Sequence, residues 1–346
     1  MKILYLLQSN RFSGAENVVC QIIHMMKKDP SIETIYASPD GQIREALAER
    51  KITFEPLAKL SVKELRRVIK KYRPDAIHAH DRSACVIAAL AAKKIPVIAH
   101  IHVNNNKGLS PLVKNILWTL CAPKYRHIFW VSDSAYDQFQ FKKIIRKKSS
   151  VLYNMIDIKA LNEKADSDTA SYDYDLAYVG RLSYQKHPER LMKVLHEIVK
   201  NKPSVRVAII GTGEYAEYIT NYIKENALEN SIHYLGYSNN PLKLLRSTKA
   251  MIMTSRFEGT PMVALEAQCL GVPVISTPVD GMKKVITNGH NGYLSDEDSE
   301  LVQKTLEILS DNSAYQTLHQ NSLQSAIEYN DLDMYYTAIT NAYLKK

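Results

Sequence analysis

Short apolar runs of strand length alternate with stretches of helical period along nearly all 346 residues, a rhythm that restricts the chain to an α/β architecture. The first run, residues 2–7, is followed by residues 14–28, which place Ala15, Val18, Val19, Ile22, Ile23 and Met26 on one helical face. Further strands are expected at 34–37, 52–57, 76–79, 97–101, 128–132 and 151–153, with helices at 62–72, 82–92, 111–121 and 133–144. A polar segment, 158–173, is poor in large apolar groups and reads as a linker. A second series of strands is then expected at 175–179, 206–210, 232–235, 250–253 and 272–276, before a helical tail from 296 onward. The expectation is two Rossmann-like, doubly wound parallel-sheet domains facing a cleft, at 1–157 and 174–330. Residues 331–346 are expected to form a C-terminal helix that packs back on the first domain. Ligands of such sheets bind beyond the carboxyl ends of the strands, so the chemistry is sought in the loops that leave them.

Composition narrows the partners. No run of about 18 apolar residues exists, so a membrane-spanning helix is not expected. The opening MKILYLLQSN is too short in its apolar core for a signal peptide, and Cys20, Cys85, Cys121 and Cys269 form no C-x-x-C pair. Both point to a cytoplasmic protein with free thiols. The net charge of +9 is uneven: residues 1–157 hold 26 Lys+Arg against 13 Asp+Glu, and the remainder 19 against 23. The first half is therefore the half suited to anions, although a merely solvated basic surface reads the same way. Neither stacking aromatics nor a helix-turn-helix pattern appears, so nucleic acid is not expected.

Residues 254–281 carry the densest signal. A helix is expected at 261–270, with Thr260 as cap, Pro261 as first residue and Gly271 as stop. Glu258 lies in the loop before it and Glu266 within it. A carboxylate on so apolar a helix needs a partner, either an internal cation or the hydroxyls of a bound sugar or ribose. Other strand exits add to the inventory. Gly14 follows the first strand, where a glycine lets backbone N–H groups approach a phosphate, but the full G-x-G-x-x-G of a dehydrogenase is absent. Gly180 and Arg181 close a strand, with Lys186 five residues on; two cations there suit a diphosphate. Gly211 marks a further glycine turn. His78, His80, His100 and His102 stand at two strand ends, and Asn104 opens the loop after the last of them. No cysteine or carboxylate sits beside them at metal-ligand spacing, so no metal is expected.

Taken together, S-G-A-E at 13–16, L-Y-N-M-I-D at 152–157, V-G-R-L-S-Y-Q-K at 179–186 and S-R-F-E-G-T-P-M-V-A-L-E-A at 255–267 resemble the family 4 glycosyltransferases. That family has the GT-B fold, works with retention of anomeric configuration and is common in bacterial capsule, exopolysaccharide and lipopolysaccharide assembly. The most specific piece is the E-x7-E spacing of Glu258 and Glu266. Ser13 and Met155 stand where the family more usually has glycine. The resemblance implies roles. Arg181 and Lys186 would hold the diphosphate, and Glu266 the ribose. Glu258, with the N–H groups near Met262 and Val263, would hold the donor sugar and phosphate. Gly14, Gly180 and Gly211 would let backbone approach the donor, and His102 would lie near the reacting sugar, with His100 as its rival. Asn104, His100 and His80 would face the acceptor.

The implied reaction is metal-independent transfer from a nucleotide sugar, a UDP-hexose or UDP-N-acetylhexosamine, to a glycan or lipid-linked acceptor, with no cofactor. Losing both Arg181 and Lys186 is expected to abolish turnover while leaving the fold intact. Residues 108–126 and 140–148 add apolar side chains among cations, a pattern that fits either docking on anionic inner-membrane lipid or ordinary core-facing helices. Two other readings remain: a GT-B-fold nucleotide-sugar epimerase or phosphorylase, and a non-enzymatic polysaccharide- or nucleic-acid-binding protein.

Overall fold

A computed structural model describes residues 1–102, 109–279 and 281–344. The chain divides into two compact units, one formed by Met1–Met155 with the segment from Leu332, the other by Ile156–Asp331. The first holds β1 (Lys2–Leu6), β2 (Glu33–Pro39), β3 (Phe54–Leu57), β4 (Ala76–His80), β5 (Val97–Ile101), β6 (Tyr125–Trp130) and β7 (Ser149–Val151). These make one parallel sheet in the order β3-β2-β1-β4-β5-β6-β7. Reversal of the order at β1 and β4 is the mark of a doubly wound fold. β1, β4 and β5 are almost wholly buried, as strands covered on both faces must be, and the burial in β4 and β5 includes His78, His80 and His100.

The second unit holds β8 (Leu176–Val179), β9 (Val207–Ile210), β10 (Ile232–Gly236), β11 (Ala250–Met253), β12 (Val274–Ser276) and β13 (Gly292–Leu294). Their order is β10-β9-β8-β11-β12-β13, again parallel. Its core gathers the apolar face of the helix Pro188–Asn201 (Leu191, Leu195, Ile198) against Leu176, Tyr178, Val207 and Ile209. The expectation of two Rossmann-like parallel sheets is met.

Several local expectations need correction, among them the single helix expected at 133–144, which is two short ones, Asp133–Asp137 and Lys142–Ile145. The stretch read as a linker opens with a helix, Ile158–Asp166, capped by Asp157, whose carboxylate accepts from Ala160 N–H at 3.1 Å. Leu161 and Ala165, four residues apart, are buried and give it a narrow apolar stripe that its polar composition hides. β13 lies beyond the last strand expected from the sequence. Gly292 lies so close to β12 that a Cβ there would stand 2.2 Å from the Val274 carbonyl oxygen, so its glycine is a packing requirement inside a strand. The helix expected at 261–270 runs Met262–Cys269, with Pro261 at extended angles as its cap. The strand expected at 151–153 begins earlier, at Ser149.

The helix Leu332–Leu344 belongs to the first unit. Its Tyr343 is 3% exposed and meets the sheet through its hydroxyl, 3.1 Å from that of Tyr5 and 2.8 Å from His78 Nδ1.

Candidate functional site

In the second unit three strand exits are tied together. Gly180 N–H donates to the Ile210 carbonyl at 2.9 Å, Leu182 N–H to that of Thr212 at 3.0 Å, and Tyr215 N–H back to Leu182 at 3.1 Å. The loops leaving β8 and β9 therefore lie on one another. Gly211 has φ +137°, and a Cβ on it would stand 1.8 Å from the Gly180 carbonyl oxygen. Its glycine is needed for the backbone crossing itself, whatever else approaches. Gly211→Ala is expected to cost upward of about 2 kcal/mol, read as a lower midpoint in denaturant.

Lys186 ends the short turn Tyr184–Lys186 and donates through Nζ to Glu258 Oε1 at 2.6 Å. The side chains are 14% and 6% exposed, so this is a nearly buried ion pair. Ser255 Oγ donates to the same oxygen at 2.6 Å, and Gln185 Nε2 to Oε2 at 3.3 Å and to the Phe257 carbonyl at 3.0 Å. Arg256 closes the arrangement: its N–H donates to the Gln185 carbonyl at 2.8 Å and its guanidinium lies 4.1 Å from the centre of the Tyr184 ring. An ammonium has three N–H donors. With one given to Glu258, two remain for an anion. Arg181 is exposed, and among the described residues its guanidinium takes part in no ion pair. Among the described residues, Lys186 and Arg181 are thus a held cation and an unpaired one on the loop that leaves β8 at its carboxyl end.

Glu258 takes the internal-cation option that was open for both glutamates. Glu266 is half buried, lying on the less covered side of the helix Met262–Cys269. The deeply buried polar side chain of that helix is instead Gln268, 1% exposed, whose Nε2 donates to the Asn291 carbonyl at 3.0 Å. Met262 and Val263 occupy the first turn, whose N–H groups have no acceptor within the helix. Gln185, Ser255 and Arg256 were not singled out from sequence. Their signal was adjacency to Lys186 and Glu258, because residues beside a buried ion pair must supply its remaining hydrogen bonds.

In the first unit Gly14 opens the helix Gly14–Met26, and a Cβ there would meet nothing within 4 Å. Neither crowding nor backbone strain requires this glycine. Ser13, at φ −154°, is extended backbone that any residue adopts, so replacing a glycine there costs nothing.

β4 and β5 pair with His80 opposite His100, which gathers four imidazoles on one face. Ring centres are 4.4 Å apart for His78/His80, 5.0 Å for His80/His100, 4.8 Å for His100/His102 and 5.2 Å for His80/His102. His80 Nδ1 lies 2.8 Å from His102 Nε2, and His100 Nδ1 3.3 Å from His78 Nε2. Nε2 of His80 and of His100 are buried and have no partner among the described residues. Burial pushes all four rings toward the neutral form, His78 to about 3 and His102 to about 4. It acts oppositely on Asp81, raised to about 6, whose Oδ1 accepts from His102 N–H at 3.4 Å.

His102 is 6% exposed, His80 1% and His100 0%, so all three are buried and His102 keeps the most surface. Asn104 lies outside the described residues. As to metals, His78, His80 and His100 are the set among the described residues whose nitrogens come together, all within 4.8 Å; the three are neutral and closed off from solvent.

Residues 161–325 match the family described as glycosyl transferases group 1, and residues 12–160 match glycosyltransferase family 4. The poly(glycerol-phosphate) alpha-glucosyltransferase of Bacillus subtilis is 26% identical over 205 residues, 58% of this chain and 30% of that protein. The chain thus spans under a third of the length of that relative. The lipopolysaccharide 1,6-galactosyltransferase of Salmonella typhimurium is 24% identical over 319 residues, 85% of each chain. Among solved structures, Anabaena HepE in complex with UDP and glucose superimposes with a TM-score of 0.84 at 20% identity, covering 100% of both chains; this is a likeness of fold.

Proposed function

The chain belongs to the family 4 glycosyltransferases, and on that premise we propose that it transfers a sugar, with retention and without a divalent metal, from a nucleotide sugar to a glycan or lipid-linked saccharide acceptor. The observation that carries this reading is the nearly buried Lys186–Glu258 pair at the β8 exit that holds the Gly180/Gly211 crossing, with Arg181, in no ion pair among the described residues, on the same exit. Breaking an anomeric C–O bond to a diphosphate puts positive charge on the sugar and negative charge on the departing oxygen. Fixed cations aimed at that oxygen lower the barrier, and Glu258, Ser255 and Gln185 keep Lys186 fixed.

In this reading Glu266 takes the ribose hydroxyls. Glu258 and the N–H groups of Met262 and Val263 face the donor sugar and its phosphates, while Gly14 admits the donor phosphates. His102 contacts the reacting sugar. The departing phosphate oxygen accepts the acceptor's proton on the face from which it leaves, so retention needs no carboxylate nucleophile. A UDP-hexose or UDP-N-acetylhexosamine is the proposed donor, by analogy with the UDP and glucose held by HepE. Surface-polysaccharide assembly is the proposed setting, by analogy with the lipopolysaccharide galactosyltransferase.

The test is release of nucleoside diphosphate from a panel of nucleotide sugars in the presence of EDTA. Slow release from one donor, quickened by acceptor, is expected. No release from any donor would overturn the reading, and thermal stabilisation by nucleotide without turnover would favour a binding protein. An isomerised sugar nucleotide formed without acceptor would favour an epimerase, and a sugar phosphate formed with inorganic phosphate a phosphorylase.

A second reading concerns the helix Leu109–Leu120. Trp118 and Asn115 point into the unit, whereas Val113, Ile116, Leu117 and Leu120 are exposed, Leu120 at 71%. Ile144, at 69%, is a further exposed apolar side chain of the same unit, and Lys143, Arg146 and Lys147 are exposed cations near it in sequence. Lys148 does not join them: its ammonium donates to the carbonyls of Ala122, Pro123 and Tyr125. We propose that this face docks on anionic lipid at the cytoplasmic side of the plasma membrane, which would bring a lipid-linked acceptor to hand. No helix among the described residues is long and apolar enough to cross a membrane. Phosphatidylglycerol-rich vesicles are expected to bind the protein at low salt, with Leu117→Glu and Leu120→Glu together abolishing cosedimentation. Absence of binding by the unaltered protein at low salt would remove the proposal.

A further inference from the structure

Behind His102 the first unit buries a histidine that the proposed transfer does not by itself employ. His80 is 1% exposed and its Nδ1 lies 2.8 Å from His102 Nε2. We infer that His80 is a positioning residue: its hydrogen bond occupies His102 Nε2 and holds the His102 proton on Nδ1, so that His102 meets the sugar as a hydrogen-bond donor. This rests on the role proposed for His102.

A neutral imidazole carries one N–H and one bare nitrogen, so the His80–His102 contact has two arrangements. Were His102 the donor, the N–H of His80 would sit on Nε2, a buried atom with no partner among the described residues. With His80 as donor, that stranded atom is only a lone pair. Native interiors seldom leave a buried N–H without an acceptor, and tolerate an underused acceptor more readily. The second arrangement therefore prevails, and it places the His102 proton on Nδ1.

The neighbouring branch runs the same way. His100 Nε2 is likewise buried with no partner among the described residues, so the favoured arrangement has His100 Nδ1–H donating to His78 Nε2. His78 Nδ1–H then donates to the Tyr343 hydroxyl at 2.8 Å. Packing keeps the His102 ring from turning over. It stacks on His100 at 4.8 Å and 13° and lies edge to edge with His80, its hydrogen-bond partner, so a flip would have to disturb the His100 stack as well as break the bond. Burial keeps both rings neutral, which a single shared proton requires.

The experiment compares His80→Leu, His80→Asn and His102→Ala in the full chain, measuring kcat and donor KM for nucleotide-sugar turnover. It also records the ring 15N shifts of His102. Asparagine places an amide N–H where the imidazole Nδ1–H stood. His80→Leu is expected to lower kcat about a hundredfold with donor KM little changed, and His80→Asn to recover most of that loss. The unaltered protein should show His102 with a protonated Nδ1, and His80→Leu a mixture of tautomers. Turnover in His80→Leu within twofold of normal, or a bare Nδ1 on His102 in the unaltered protein, would overturn the inference. Full turnover in His102→Ala is a different result: it would remove the role of His102 and leave the rest of the proposed reaction standing.

Discussion

Arg181→Ala is expected to leave thermal stability unchanged and to lower turnover by a factor of about 10²–10³, the usual loss when one preorganised charge-stabilising group is removed. The side chain is exposed and unpaired among the described residues, so nothing in the fold depends on it. Lys186→Ala should behave differently. It removes one partner of a nearly buried pair and leaves Glu258, 6% exposed, as an uncompensated carboxylate. Breaking such a pair costs about 3–5 kcal/mol, softened here by the Ser255 and Gln185 hydrogen bonds that Glu258 keeps. The sequence alone suggested that removing both cations would spare the fold; the ion pair revises that for Lys186. Lys186→Met combined with Glu258→Gln removes both charges at similar volume. It should restore the denaturation midpoint without restoring turnover. Recovery of turnover in that double variant would show that neither charge takes part in the reaction.

Folding stability should fall steeply as the pH drops below about 6.5. His78, His80, His100 and His102 are held neutral by burial in the folded chain, while the unfolded chain protonates them near the ordinary value. Each therefore contributes stability that is present above about 6.5 and lost as the pH falls toward its folded value, near 4 for His102 and near 3 for His78. Within that window each ring adds a slope of up to about 1.4 kcal/mol per pH unit. Asp81 acts in the opposite sense. Its carboxyl is raised to about 6, so the folded chain holds a proton there that the unfolded chain releases, and one histidine's slope is partly offset. Arg82, beside Asp81, adds positive charge that favours the carboxylate. Urea midpoints measured between pH 5 and 7 check this. A flat profile would mean that the four rings take up protons without unfolding.

The periodicity of apolar residues was enough to read the two-sheet architecture, because buried parallel strands must be continuous apolar runs and few other segments are. It failed at β13, where a close approach to β12 demands glycine and leaves only Tyr293 and Leu294 to signal a strand. It failed again at Ile158–Asp166, where two side chains carry the whole buried face. Lys186 and Glu258 were each legible as candidates from motif spacing, but their mutual contact was not. No local pattern pairs residues 72 apart in sequence, and only the adjacency of the β8 and β11 exits brings them together. The histidines were visible as two strand-end pairs. Their union into one stack depended on the register that sets His80 opposite His100. Sequence had His80 and His100 as residues an acceptor could touch; the sheet turned them inward.

The helix Leu332–Leu344 has a consequence for the order in which the protein can be built. Its Tyr343 completes the hydrogen bonding of Tyr5 and His78, near the beginning of the chain, while Ile156–Asp331 form a unit of their own in between. The second unit is thus an insertion within the first. A ribosome delivers all of it before the first unit receives the helix that closes its sheet over His78. Domains usually mature from the amino end onward; here the later unit can finish while the earlier one still waits, its imidazole stack short of a partner until residues 332–344 have been made.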